Sequence, residues 1–217
     1  MSDDSYLIAI SDAEAEIEVK GSRFIACISP AKSPEEASDF KESVKKRYPK
    51  ASHYCTASVF GHPNDSNGYA YSDDGEPSGT AGRPMLMALC DVGIGQVTAV
   101  VVRYFGGTKL GTGGLQRAYK DAVCEALPDI KTETLVYKQS FSIRFDYTDQ
   151  GAVEQLFERY DAEVWEAEYS DIIAQEVRLE PSKVNELKEL YSLENDIVYD
   201  YVIRLRYDIL PLEKIIC

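Results

Sequence analysis

Val97–Leu127 reads VTAVVVRYFGGTKLGTGGLQRAYKDAVCEAL. Its first eight residues are dominated by β-branched and apolar side chains, the pattern of a central strand buried on both faces. Leu115, Ala118, Tyr119, Ala122, Val123, Ala126 and Leu127 fall on one face of a helix. Gln116, Arg117, Lys120, Asp121 and Glu125 fall on the other. The spacing predicts a strand over Val97–Tyr104, a glycine-rich turn, and a helix over Leu115–Leu127 that Pro128 stops. A glycine turn feeding a helix N-terminus leaves backbone N–H groups pointing outward, and with the helix dipole they suit an anion. Lys109 and Arg117 add charge beside it. The competing reading is a tight loop that packs strand on helix without a ligand.

Working outward, the first half is mixed. Ile17, Val19, Phe24, Ile25, Cys27 and Ile28 mark strand-like stretches within Glu16–Pro30. Ser33-Pro34-Glu35-Glu36 opens a helix, with Ser as the cap, Pro in the first turn and acids at the positive dipole end. Ala37, Phe40, Val44 and Tyr48 point inward, and Pro49 stops the helix. Tyr54–Phe60 is a strand, Gly61–Tyr69 a loop, and Met85–Leu89 lies in a helix starting near Thr80.

The second half has its own pattern. Phe141, Ile143, Phe145 and Tyr147 alternate with polar residues. Thr148 or Asp149 caps a helix bearing Val153, Leu156, Phe157 and Tyr160. Two strands, Val164–Tyr169 and Ile172–Leu179, join near Ser170-Asp171. Pro181 starts a helix with Val184, Leu187, Leu190 and Tyr191 on its stripe, and a last strand runs over Ile197–Tyr207. The order β-α-β-β-α-β is that of a ferredoxin-like domain. The fold class is α+β, with domains over residues 1–136 and 137–217.

The chain of 217 residues carries 37 acids against 23 bases, a net charge of -14. That argues against a generic, charge-driven nucleic-acid coat. No apolar run approaches the roughly 18 residues of a membrane span, and the acidic start does not resemble a signal peptide. The five widely spaced cysteines contain no C-x-x-C, which leaves a zinc ribbon, a thioredoxin motif and a disulfide framework unsupported. Reduced cysteines in a cytoplasmic monomer are the expectation.

Ten of the fourteen glycines fall between Gly75 and Gly114. From Pro77 to Lys120 five bases (Arg83, Arg103, Lys109, Arg117 and Lys120) meet one acid, Asp91. A glycine-rich basic island in an acidic chain fits a focused anion site. Its candidate residues are Arg83, Arg103, Gly106, Gly107, Lys109, Gly111, Gly113, Gly114 and Arg117. It is not a Walker loop, because Lys109 precedes the final glycines, nor a dinucleotide fingerprint, because Gln116 stands where glycine or alanine is needed.

Just upstream, Asp73, Asp74 and Glu76 place three carboxylates in four residues. They suit Mg²⁺ through oxygen ligands or acid/base work, or they cap turns and the next helix. His53 is a candidate proton carrier and also a candidate hydrogen-bonded strand residue. Neither histidine has ligand-spaced partners for zinc.

The stretches Gly21-Ser22-Arg23-Phe24, Ala51-x-His53-x-Cys55-x-Ala57, Ser72–Pro84 (SDDGEPSGTAGRP), Arg103–Gly107 and Gly113-Gly114-Leu115-x-Arg117-Ala118-Tyr119 resemble the signatures of the IMPACT family. The similarity extends to its bacterial, two-domain YigZ branch. The resemblance implies an N-terminal domain like the second domain of a small-subunit ribosomal protein and a ferredoxin-like C-terminal domain. It implies partners among RNA or the ribosome and a link to regulation of translation. It carries over no catalytic residues. A nucleic-acid-binding factor is therefore one expectation. An enzyme for a small phosphorylated or anionic metabolite, Mg²⁺-assisted, is the other. Which applies depends on whether the carboxylates and the glycine loop face one cleft.

Overall fold

The alternation of β-branched and polar residues becomes strands wherever one face can be covered, and here helices cover both faces. The structure is a computed structural model and describes residues 5–184, 198–202 and 207–209. Its elements begin with β1 (Ser5–Ala9), β2 (Ala13–Val19), β3 (Ser22–Pro30), α1 (Pro34–Arg47), β4 (His53–Val59) and β5 (Tyr69–Ser72). Then come α2 (Gly82–Val92), β6 (Ile94–Gly95), β7 (Val97–Tyr104), α3 (Gly111–Ala126) and β8 (Lys131–Phe145). The rest are α4 (Gln150–Tyr160), β9 (Glu163–Tyr169), β10 (Ile173–Leu179), β11 (Val198–Val202) and β12 (Tyr207–Ile209). Contacts divide the chain within β8, into main segments Tyr6–Thr134 and Leu135–Arg204. The protein is a mixed α+β, two-domain chain.

In the first unit the sheet order is β2-β3-β7-β4-β5, with every neighbouring pair antiparallel. β7 is its centre, as its composition predicts. Phe24, Ala26 and Ile28 of β3, Cys55 and Ala57 of β4, and Val97, Ala99 and Val101 of β7 face α2 and α3. Ile25, Cys27, Val100 and Val102 face the other way, against Val44 of α1. The period of two thus sorts the strands between two cores. Ser33 caps α1 by accepting the Glu36 N–H at 3.4 Å. β1, which the sequence reading did not find, pairs in parallel with the two-residue β6, Leu7 beside Ile94.

Two departures bear on function. α3 begins at Gly111, four residues before the expected Leu115, so the last three glycines form its first turn. Packing of Leu115, Ala118 and Tyr119 on the sheet overrides the poor helix propensity of glycine. The other concerns direction. β5 and β7 are both antiparallel to β4, hence parallel to each other. Each is followed by a helix that returns along the sheet, so α2 and α3 run in the same sense. Both helices start at the edge where β5 and β7 end.

In the second unit β8 has β11 on one side and β10 on the other, with β9 beyond β10, all antiparallel. Ile143, Val177 and Leu179 of this sheet pack on Phe157 and Tyr160 of α4 and on Val184. Residues 181–184 are helical as expected from Pro181. Leu187, Leu190, Tyr191 and the side chain of Phe141 lie outside the described residues. The expected last strand is described as β11 and β12, both paired to β8.

Among the described residues no helix is long and apolar enough to cross a membrane. Cys27, Cys55 and Cys90 are free thiols.

Candidate anion-binding groove

The loop from Asp73 to Ala81 shapes the edge where α2 and α3 begin. Asp73 accepts the Gly79 N–H at 2.8 Å on Oδ2, and those of Ala81 and Gly82, both at 2.9 Å, on Oδ1. It therefore caps α2 from nine residues away, because Ala81, at the cap position, has no side chain that can do so. Burial alone would raise its pKa, but the three N–H donors hold its carboxyl below the ordinary value of 3.8. A depressed folded pKa means that this stabilisation is complete above the unfolded value and lost as pH falls through the folded one. Asp73→Asn replaces one acceptor by a donor facing the Gly79 N–H. A loss of about 1–3 kcal/mol at pH 7 is expected, shrinking towards pH 3, by denaturation at several pH values.

Asp74 turns to α1. It accepts the Tyr54 N–H at 2.7 Å and pairs with Lys41 at 3.1 Å. Its carbonyl oxygen lies 2.8 Å from His53 Nδ1. A carbonyl only accepts, so Nδ1 carries the hydrogen. His53 Nε2 is left 3.8 Å from Glu76 Oε1.

Glu76 is buried and receives Arg103 Nη1 at 2.5 Å and the Tyr119 hydroxyl at 2.8 Å. The Arg103 guanidinium lies 5.4 and 5.5 Å from the centroids of the Phe24 and Phe105 rings. Burial raises the Tyr119 pKa, keeping its hydroxyl a donor, and pushes the Cys55 thiol up to about 12, an unreactive state.

These placements bear on two of the readings open in the sequence. Asp73 takes the helix-capping alternative, while Asp74 pairs with Lys41 and Glu76 with the inward Arg103. Among the described residues no three His, Cys, Asp or Glu side chains are arranged to hold a metal ion. Arg103 is not an anion ligand on the surface, because Glu76 holds it inside.

What the edge does present is a cavity of about 560 Å³ between α2 and α3. Arg83, Pro84 and Met87 line it from α2, with Gly79 at its rim. Gly113, Gln116, Arg117, Lys120 and Asp121 line it from α3. Gln116 Nε2 donates to the Gly79 carbonyl at 3.2 Å, and Lys120 pairs with Asp91 of α2 at 3.0 Å. Neither Arg83 nor Arg117 has an ion-pair partner among the described residues. No side chain caps the first turn of α3. The acidic-loop motif and the glycine motif thus share one groove, but through Gly79, Arg83, Gly113 and Arg117 rather than through carboxylates.

The other glycines have backbone duties. A Cβ on Gly106 would stand 2.0 Å from the Gly21 carbonyl. Gly107 and Gly111 have φ of 88° and 73°, the left-handed region. Gly114 lies against Leu110. Lys109 does not line the groove. The sequence reading missed Pro84, Met87, Gln116 and Asp121. Their signal was the one-turn spacing of Arg83 with Met87 and of Arg117 with Asp121, which becomes informative only once the helices are known to be side by side.

Comparison with known proteins places the chain in a family. Residues 20–127 match the Impact N-terminal domain, and residues 143–190 match a domain of unknown function, DUF1949. The chain is 45% identical to an IMPACT family member of Haemophilus influenzae, over 73% of this chain and 77% of that protein. It is 39% identical to the IMPACT family member YigZ of Escherichia coli, over 84% of this chain and 90% of that protein. A crystal structure of a hypothetical protein, 37% identical, covers 90% of this chain and 97% of its own, with a TM-score of 0.62. By these similarities the chain belongs to the IMPACT family, as a member of the YigZ type.

Proposed function

We propose that this protein is a binding factor for RNA or the ribosome, linked to regulation of translation, and that the groove between α2 and α3 is its anionic contact. The observation that carries this reading is that Arg83 and Arg117, without ion-pair partners among the described residues, line one cavity of a chain with net charge -14. Focused positive charge in an acidic protein selects a defined anion and repels bulk polyanion. Asp73, Asp74 and Glu76 are engaged by backbone N–H groups, Lys41 and Arg103 and do not line the groove, which favours binding over the enzyme reading. We take the first domain, residues 1–136, to resemble the second domain of a small-subunit ribosomal protein. The strand order β11-β8-β10-β9 supports a ferredoxin-like second domain, residues 137–217. Both likenesses suit a translation-linked role.

The test is the double variant Arg83→Ala/Arg117→Ala, assayed by fluorescence anisotropy with short single-stranded RNAs. A loss of at least tenfold in affinity is expected, with unchanged thermal stability. The slope of log affinity against log salt should flatten by about 0.7 per phosphate contact removed. Wild-type affinity in the double variant would remove the groove from the account.

A further inference from the structure

The groove has a direction, and the direction specifies a ligand. Arg83 and Met87 are one turn apart on α2, and Arg117 and Asp121 are one turn apart on α3. Both arginines line the same groove, and because the helices run in the same sense, each lies one turn nearer its helix start than Met87 or Asp121. Met87 and Asp121 line the groove one turn further along their helices. Four residues at 1.5 Å rise separate the two levels by about 6 Å. One level is doubly cationic. The next has an exposed thioether on one wall and, on the other, a carboxylate without an ion-pair partner among the described residues.

A bare phosphate would use only the first level. A duplex backbone would find no role for a carboxylate, which repels phosphate. The two levels match a phosphate joined over about 6 Å to a group that donates hydrogen bonds and carries an apolar face. A nucleoside 5′-monophosphate has that form. The two guanidiniums take the phosphate dianion, Asp121 accepts from the ribose 2′- and 3′-hydroxyls, and Met87 with Pro84 lies against the base. The cavity, about 560 Å³, is of ordinary size for one such unit.

We propose that the groove between α2 and α3 binds a ribonucleoside 5′-monophosphate, either free or as the 5′ end of an RNA strand. This rests on the anion-binding reading of the same groove and narrows it from phosphate in general to a terminal 5′-phosphate with its ribose. The experiment is calorimetric titration of the full chain with inorganic phosphate, AMP, dAMP, adenosine, and an RNA hexamer bearing a 5′-phosphate or a 5′-hydroxyl. AMP is expected to bind at least tenfold more tightly than inorganic phosphate or adenosine, and several-fold more tightly than dAMP. Asp121→Asn should erase the preference for AMP over dAMP. A 5′-phosphorylated hexamer at least tenfold tighter than its 5′-hydroxyl form identifies an RNA end as the source. AMP binding without hexamer binding identifies the free nucleotide and overturns the RNA reading. Equal binding of both hexamers, weakened alike by Arg83→Ala/Arg117→Ala, overturns the narrower proposal and leaves the general anionic contact standing. No binding of any of these overturns both.

Discussion

Arg103→Met is expected to destabilise the Tyr6–Thr134 unit by roughly 3–5 kcal/mol, the usual cost of leaving one member of a buried ion pair without its partner. The two side chains are only 7% and 4% exposed, so water cannot replace the lost guanidinium. Only the Tyr119 hydroxyl would still donate strongly to Glu76. The double variant Arg103→Met/Glu76→Gln should recover a substantial part, because the uncompensated charge is gone. Urea denaturation followed by far-UV circular dichroism measures this. Trp165, the single tryptophan, lies on β9 in the other unit, so its fluorescence gives an internal reference. A single variant within about 1 kcal/mol of wild type would mean that the pair does not hold the Asp73–Ala81 loop.

Gly106→Ala should be as damaging, for a reason unrelated to charge. The added methyl would meet the Gly21 carbonyl carbon and oxygen at 2.0 Å and the Ser22 nitrogen at 2.4 Å. These are backbone atoms that cannot swing aside, so the end of β7 must part from the start of β3. The hydrogen bond from the Gly106 N–H to Ser22 Oγ, 3.1 Å, would go with it. A loss of about 3 kcal/mol or more is expected, at or beyond the upper end for overpacking. Gly113→Ala is the control. No atom lies within 4 Å of its added methyl, and the position is helical, so stability should hold or rise. If both variants unfold at the same urea concentration, the close approach at Gly106 is not a constraint on the fold.

These two sites also mark how far the sequence could be read. The start of α1 was legible because Ser33, Pro34, Glu35 and Glu36 act on their own local backbone. β7 was legible because a strand covered on both faces is apolar at nearly every position. The start of α3 was not, since glycines at 111, 113 and 114 argue locally for a turn, and only tertiary packing decides otherwise. Asp73, Asp74 and Glu76 read equally as one cluster or as caps, because adjacency in sequence hides orientation. The left-handed backbone at Asp74 and Gly75 sends their side chains to three different partners. Charge counting alone places Arg103 in the anion site. Its partner lies 27 residues away, and a contact at that range leaves no local trace. Arg83 and Arg117 were found by that same counting, but their groove depends on the parallel course of two helices.

The central place of β7 has a consequence for synthesis. The register joins Arg23 to Tyr104 and His53 to Arg103, so β3 and β4 are both finished long before the strand that lies between them. On a translating ribosome the nascent β2–β3 hairpin must wait, one edge bare, until β7 has left the exit tunnel. That edge carries Phe24, Ile25, Ala26, Cys27 and Ile28, an uncharged run of the kind that recruits other strands. Chains released before Tyr104 would therefore be sticky fragments rather than small folded pieces, and the first domain can close only as a whole.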